Sequence, residues 1–150
     1  MKRYLCLLLV STLSLMLISG CAETAEWELT EYDDVNNIDK VSMTIKDGTV
    51  SSAGLTIILK NDSDIEYGYG QYYLLEKKIK GKWYKVPVTG NDAFEDIAYL
   101  LVPGENIEWD IKWVGIYGNL DNGEYRIIKE VFNYTEENSI EYILAAEFKI

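Results

Sequence analysis

From Ile107 to Trp113 the chain alternates without a break: Ile107, Trp109, Ile111 and Trp113 share one parity, Glu108, Asp110 and Lys112 the other. A period of two puts the four large apolar side chains on one face of a pleated strand and the three charges on the opposite face, a separation that helical spacing does not produce. The same period recurs at Val41, Met43 and Ile45, at Leu55, Ile57 and Leu59, and at Tyr142, Leu144, Ala146 and Phe148 against Glu141, Glu147 and Lys149. Turn chemistry separates these runs at Asp47-Gly48, Asn61-Asp62-Ser63-Asp64, Pro103-Gly104 and Asp121-Asn122-Gly123. Trp27-Glu28-Leu29 reads as the start of a first strand, Tyr67 to Leu75 and Tyr125 to Phe132 as further strands, and Ile79 to Trp83 as a hairpin. Residues 89–100 read as irregular, either one helical turn or a broad loop. Beyond the amino-terminal leader no segment holds a 3.6-residue period.

Seven to eight short strands with no long helix predict an all-β, Greek-key β-sandwich rather than a barrel. Asp121-x-Gly123-x-Tyr125-x-Ile127 resembles the tyrosine corner of immunoglobulin-like folds, in which the tyrosine hydroxyl bonds back to upstream backbone. On that likeness Asp121, Gly123 and Tyr125 are structural, Ile127 faces the core, and Trp109 or Trp83 is the buried inter-sheet tryptophan. From Val41 to about Glu130 the chain also resembles a bacterial Ig-like domain found in small Gram-positive lipoproteins. The likeness is carried by the run from Val41 to Val50, Leu75-Glu76-Lys77-Lys78, the run from Gly81 to Pro87, Asp96-Ile97-Ala98-Tyr99 and Gly123-Glu124-Tyr125-Arg126. These motifs are structural, so the resemblance implies fold and location and transfers no catalytic or binding residue.

The amino terminus predicts the address. Lys2 and Arg3 precede an uncharged, mostly apolar run from Tyr4 to Ile18, and Ser19, Gly20 and Cys21 follow, the layout of an export signal. Ile18-Ser19-Gly20-Cys21 resembles the bacterial lipobox, which implies cleavage between Gly20 and Cys21, a diacylglycerol on the Cys21 thiol and often an acylated new amino terminus. An uncleaved signal anchor is the alternative, since a spanning helix needs about 20 residues. Two acyl chains give stable anchoring where one is marginal. The expected organisation is a signal peptide at 1–20, an acylated amino terminus and short tether at 21–39, and an Ig-like domain at 40–150, held at the cell membrane on its extracytoplasmic side.

Charge and composition narrow the function. The chain has 25 acidic residues against 14 basic ones, and removal of Lys2 and Arg3 with the signal leaves 12 basic residues and a formal charge of −13. Such a domain repels nucleic acid and anionic lipid surfaces. There is no histidine, which removes imidazole chemistry. Cys6 leaves with the signal and Cys21 is blocked by lipid, so no disulfide or free thiol is expected. Asp92, Glu95 and Asp96 cluster beside Phe94 and Tyr99, but three acids in one loop of so acidic a chain are ordinary, and Phe94 and Ile97 are expected to plug the end of the sandwich. Asp62, Asp64 and Glu66 offer alternating oxygens without the glycine or spacing of a calcium loop, and read as a solvated turn. No cofactor, no metal site and no enzymatic activity are expected.

Tyr67, Tyr69, Tyr72 and Tyr73 within seven residues, followed by Trp83-Tyr84, make the most unusual feature. Tyrosine and tryptophan favour interfaces and stack on sugar rings, yet adjacent residues point to opposite faces, so about half of these rings must fill the core. Lys77, Lys78, Lys80, Lys82 and Lys85 form a basic cluster suited to guarding a sheet edge. Tyr67, Tyr69, Tyr72, Lys80, Lys82 and Tyr84 are therefore the candidate partner-binding residues. The expected function is that of a non-catalytic binding or accessory module contacting another envelope protein, with a cell-wall or glycan-binding module using exposed Tyr and Trp as the alternative. Mass spectrometry of the mature amino terminus checks the address: an acylated Cys21 is expected, and an intact leader would replace cleavage by a signal anchor.

Overall fold

The computed structural model describes residues 27–134 and 138–150, which leaves the leader, Gly20 and Cys21 outside the described residues. Among the described residues nine strands and one short helix follow in order: β1 Val41–Ile45, β2 Gly54–Asn61, β3 Tyr67–Tyr69, β4 Leu74–Ile79, β5 Lys82–Lys85, β6 Tyr99–Leu101, β7 Asn106–Lys112, α1 Val114–Tyr117, β8 Glu124–Tyr134 and β9 Ser139–Lys149. They form two antiparallel sheets, β1-β2-β7 and β5-β4-β8-β3-β6, with β9 on the other flank of β8. This is the β-sandwich expected from the periodicity, with the Ig-like character that the tyrosine corner and the family resemblance imply.

The strand count exceeds seven to eight because the tyrosine-rich run is broken. β3 pairs Tyr69 with Val131 and β4 pairs Leu74 with Ile128, so four residues, Gly70 to Tyr73, stand opposite only Lys129 and Glu130. This two-residue excess bulges the strand and shifts its register. Of the other expected elements, Trp27–Leu29 contributes only an isolated bridge from Leu29 to Tyr84. Residues 89–98 form a loop without a helical turn, and the helical turn instead follows β7. At the β4–β5 hairpin Lys80 and Gly81 take φ of 51° and 82°, the pair of left-handed residues that a two-residue type I′ turn requires.

The core lies between the sheets, where alternate residues of each strand meet. Along β8 the inward parity is Tyr125, Ile127, Lys129 and Val131, all buried. The fully buried tryptophan is Trp113, rather than Trp109 or Trp83: it closes β7, donates its indole N–H to Ser52 O at 2.8 Å, and stacks on Phe148, which stacks on Tyr125. Trp109 is half-buried at the sandwich side, and Trp83 lies on the outer face under the Arg126 guanidinium. The Tyr125 hydroxyl donates to Asp121 O at 3.0 Å and to its carboxylate at 2.6 Å. Lys77, at 2.7 Å, and Tyr125 together hold the Asp121 carboxyl below its usual range.

Residues 28–36, expected as tether, instead cross the outer face of the larger sheet as a strap. Thr30 N donates to Trp83 O and Lys85 N to Glu28 O along the edge of β5, and at the far side the Asn36 side chain exchanges two hydrogen bonds with Ala145 of β9. Beneath the strap lie Leu74, Ile128 and Ala145, and an ion pair between Glu76 and Arg126, both buried. Thr30 donates to Glu76, while Arg126 donates to Thr30 Oγ1 and Tyr32 O, so both charges are satisfied by strap atoms. Removing one partner of such a pair leaves an uncompensated buried charge. Arg126→Met is therefore expected to cost about 3–5 kcal/mol in chemical denaturation, and Glu76→Met/Arg126→Met to recover most of it.

Candidate functional site

The bulge at Gly70 to Tyr73 takes two carbonyls out of the ladder, and Lys129 answers them from β8. Its Nζ donates to Gly70 O at 2.6 Å and to Tyr72 O at 3.0 Å, and lies 4.2 Å from the ring centre of Trp109 and 5.6 Å from that of Tyr69. A buried ammonium facing π surfaces gains cation–π attraction. Even so, burial draws the Lys129 amine down to about 7, with Glu130 the opposing influence. Lys129 stands on the apolar parity of β8, the one signal in the sequence that marks it.

Above this lysine the two sheets part along one side. β6 ends the larger sheet there and β7 the smaller, and the turn from Val102 to Glu105 carries the chain from one to the other. The gap is a cleft of about 620 Å³ whose aromatic lining is Tyr69, Tyr73, Phe94, Tyr99 and Trp109. Tyr69, Tyr99 and Trp109 form a mutual trio with ring centres 5.4–5.8 Å apart and interplanar angles of 27° to 65°. The far wall comes from the loop after β5, pinned to α1 by Thr89 N and Gly90 N donating to Ile116 O and by Asn91 N donating to Gly115 O. A side chain at Gly90 would strike Gly115 O at 2.0 Å, so glycine permits this approach. Phe94 packs edge-on against both Tyr72 and Tyr73 and ties the loop to the bulge, whereas Ile97 is exposed and plugs nothing. Polar groups share the lining with the rings: Gln71 donates to Tyr99 Oη at 3.2 Å, and Asn91, Glu108, Asp110 and Lys112 stand around them.

The candidate contact residues do not form one surface. Tyr67 and Tyr69 are only 4% and 6% exposed, because β3 lies between β8 and β6 and both rings point into the core; they are corrected to core positions, Tyr69 flooring the cleft. Tyr72 is 42% exposed on the opposite side of the bulge from Tyr73. Tyr84 is half-buried and bridges the strap, while Lys80 and Lys82 are exposed at the hairpin tip. The six residues of β4 separate that tip from Tyr72, on the order of 20 Å at strand rise. The sequence did not point to the opposing wall, Phe94 apart, or to the part played by β7.

Asp92, Glu95 and Asp96 are exposed along the loop, and Glu95 accepts from Gln71. At the Asp62–Glu66 turn Asn61 is the organiser, donating to Ile65 O and Leu101 O and accepting from Ser63, while Asp62 pairs with Lys60. Among the described residues no three acidic side chains converge into a metal-sized group.

Residues 37–149 match the family model described as bacterial Ig-like domain. No curated protein and no solved structure matches the chain.

The cleft floor should report on pH. Between about pH 7 and 10 the unfolded chain holds a proton on Lys129 that the folded chain has released, so stability rises with pH there and is lost as pH falls toward 7. The slope is at most about 1.4 kcal/mol per pH unit. Denaturation midpoints of the wild type should rise from pH 7 to 9, and those of Lys129→Met should stay flat.

Proposed function

The chain belongs to the bacterial Ig-like domain family, and from that footing we propose that it is a non-catalytic accessory module that docks another envelope protein at the extracytoplasmic side of the cell membrane. The observation that carries the docking role is the aromatic cleft at the open side of the sandwich. Rigid aromatic rings bordered by polar groups are what protein interfaces use as anchors. A sugar platform needs a flat row of exposed rings. Here the Trp109 ring stands at 56° and 65° to the two tyrosines and Tyr69 is buried, which supports a protein partner.

The lipobox-like segment supports anchoring through Cys21. Five residues then separate Cys21 from Trp27, where the described chain begins, a reach of about 20 Å at full extension. With a strap that docks almost at once on β5, the domain is held close to the bilayer, and its strong negative charge keeps it from lying flat on anionic lipid. The absence of histidine from the sequence and the exposure of the Asp92–Asp96 acids along their loop support a role without catalysis.

In-cell photo-crosslinking from Tyr99 and Tyr72, read by mass spectrometry of the intact adduct, tests the docking role. One protein captured from Tyr99 is expected. Wall fragments alone would replace the protein partner by a glycan, and no adduct from either position would leave the cleft without a docking role.

A further inference from the structure

β7 is both a wall of the cleft and the last strand of its sheet. Its hydrogen-bond parity is fixed at both ends, where Trp113 N donates to Ala53 O and Asn61 N donates to Glu105 O. Antiparallel alternation then turns the amides and carbonyls of the odd-numbered residues toward β2 and those of Asn106, Glu108, Asp110 and Lys112 away from it, along the mouth of the cleft. The Lys112 carbonyl accepts the Tyr73 hydroxyl at 3.4 Å. Among the described residues the backbone groups of Glu108 and Asp110 have no partner. The strap covers β5 and β9, whereas the β7 edge is left open beside the aromatic floor.

We propose that the β7 edge receives an extended segment of the partner protein as an added strand, a conclusion that rests on the docking role above. Strand addition supplies main-chain hydrogen bonds from the edge and specificity from alternate side chains. In an added strand one parity points inward over Tyr69, Tyr99 and Trp109, and the other lies on the solvent face beside Glu108 and Asp110. Glu108 pairs with Lys46 at 2.6 Å, whereas Asp110 accepts from Thr56 Oγ1 at 2.6 Å and among the described residues has no cation against it, so the segment that fits alternates bulky apolar residues with polar ones and sets a Lys or Arg beside Asp110. Two β7 edges paired antiparallel about Trp109 would set Glu108 of one copy opposite Asp110 of another, a like-charge pair that the Lys46 ammonium, 2.6 Å from Glu108, offsets only in part, which disfavours self-association in that register.

The test places a photoreactive residue at Glu108 or Asp110 of the full chain in cells and maps the captured segment. A protein adduct is expected from both positions, on a stretch with apolar–polar alternation that carries a Lys or Arg. Glu108→Pro removes one edge amide while sparing the ladder to β2, and is expected to lower capture from Tyr99 at least tenfold, whereas Glu108→Ala is expected to change it less than threefold. Near-UV circular dichroism from buried Trp113 verifies that both variants fold, and Asp110→Lys, which reverses the edge charge, is expected to weaken capture even if the proline variant does not fold. Capture from Tyr72 or Tyr99 with none from Glu108 or Asp110 would overturn strand addition and leave protein docking standing. Capture unchanged in folded Glu108→Pro would also overturn it, and the absence of any protein adduct from all positions would overturn both conclusions.

Discussion

Much of this sandwich depends on how one buried amine satisfies a broken strand. β8 runs straight through eleven residues while the chain beside it interrupts itself between β3 and β4, and two carbonyls lose their ladder partners over the buried Lys129. An unsatisfied carbonyl there costs about 1–3 kcal/mol. Lys129 meets both, and because the excess is an even two residues the strand keeps its parity across the break, with Tyr69 and Tyr73 on the core side and Tyr72 on the other.

The opposite face of β8 uses a second basic side chain for a different purpose. Arg126 is held by Glu76, Thr30, Tyr32 O and the Trp83 ring, four groups from three parts of the chain. A buried ion pair contributes little net stability but strongly disfavours arrangements that leave either charge alone. Its effect here is to specify where the strap lies, and the strap covers sheet edges that would otherwise invite pairing. The adjacent odd and even positions of β8 thus organise an open site on one side and a closed surface on the other.

The strands were legible wherever one face is buried and the other wet, as along β7 and β9, because burial writes alternation directly into the residues. The hairpin was legible from Lys80-Gly81, whose backbone demands a residue tolerant of positive φ. The strap was not, since residues 28–36 are mostly polar and bury themselves through single side chains and backbone groups that leave no period. The break in the tyrosine run was equally silent, because Gly70-Gln71 is no turn signature and the register shift is set by β8 across the sheet. Tyr67 and Tyr69 looked like contact residues for the same reason: a ring suited to an interface is equally suited to a core, and only the strand order decides between them.

The strap also determines how the sandwich responds to mechanical load. A pull at its amino-terminal end is transmitted first to the short row of bonds between residues 28–30 and β5, and next to Thr30, which bridges the Glu76–Arg126 pair. The β-sheet ladders and the Trp113–Phe148–Tyr125 stack lie behind that latch and outside the first line of force. The strap therefore acts as a fuse, yielding under tension before the cleft on the far side is deformed.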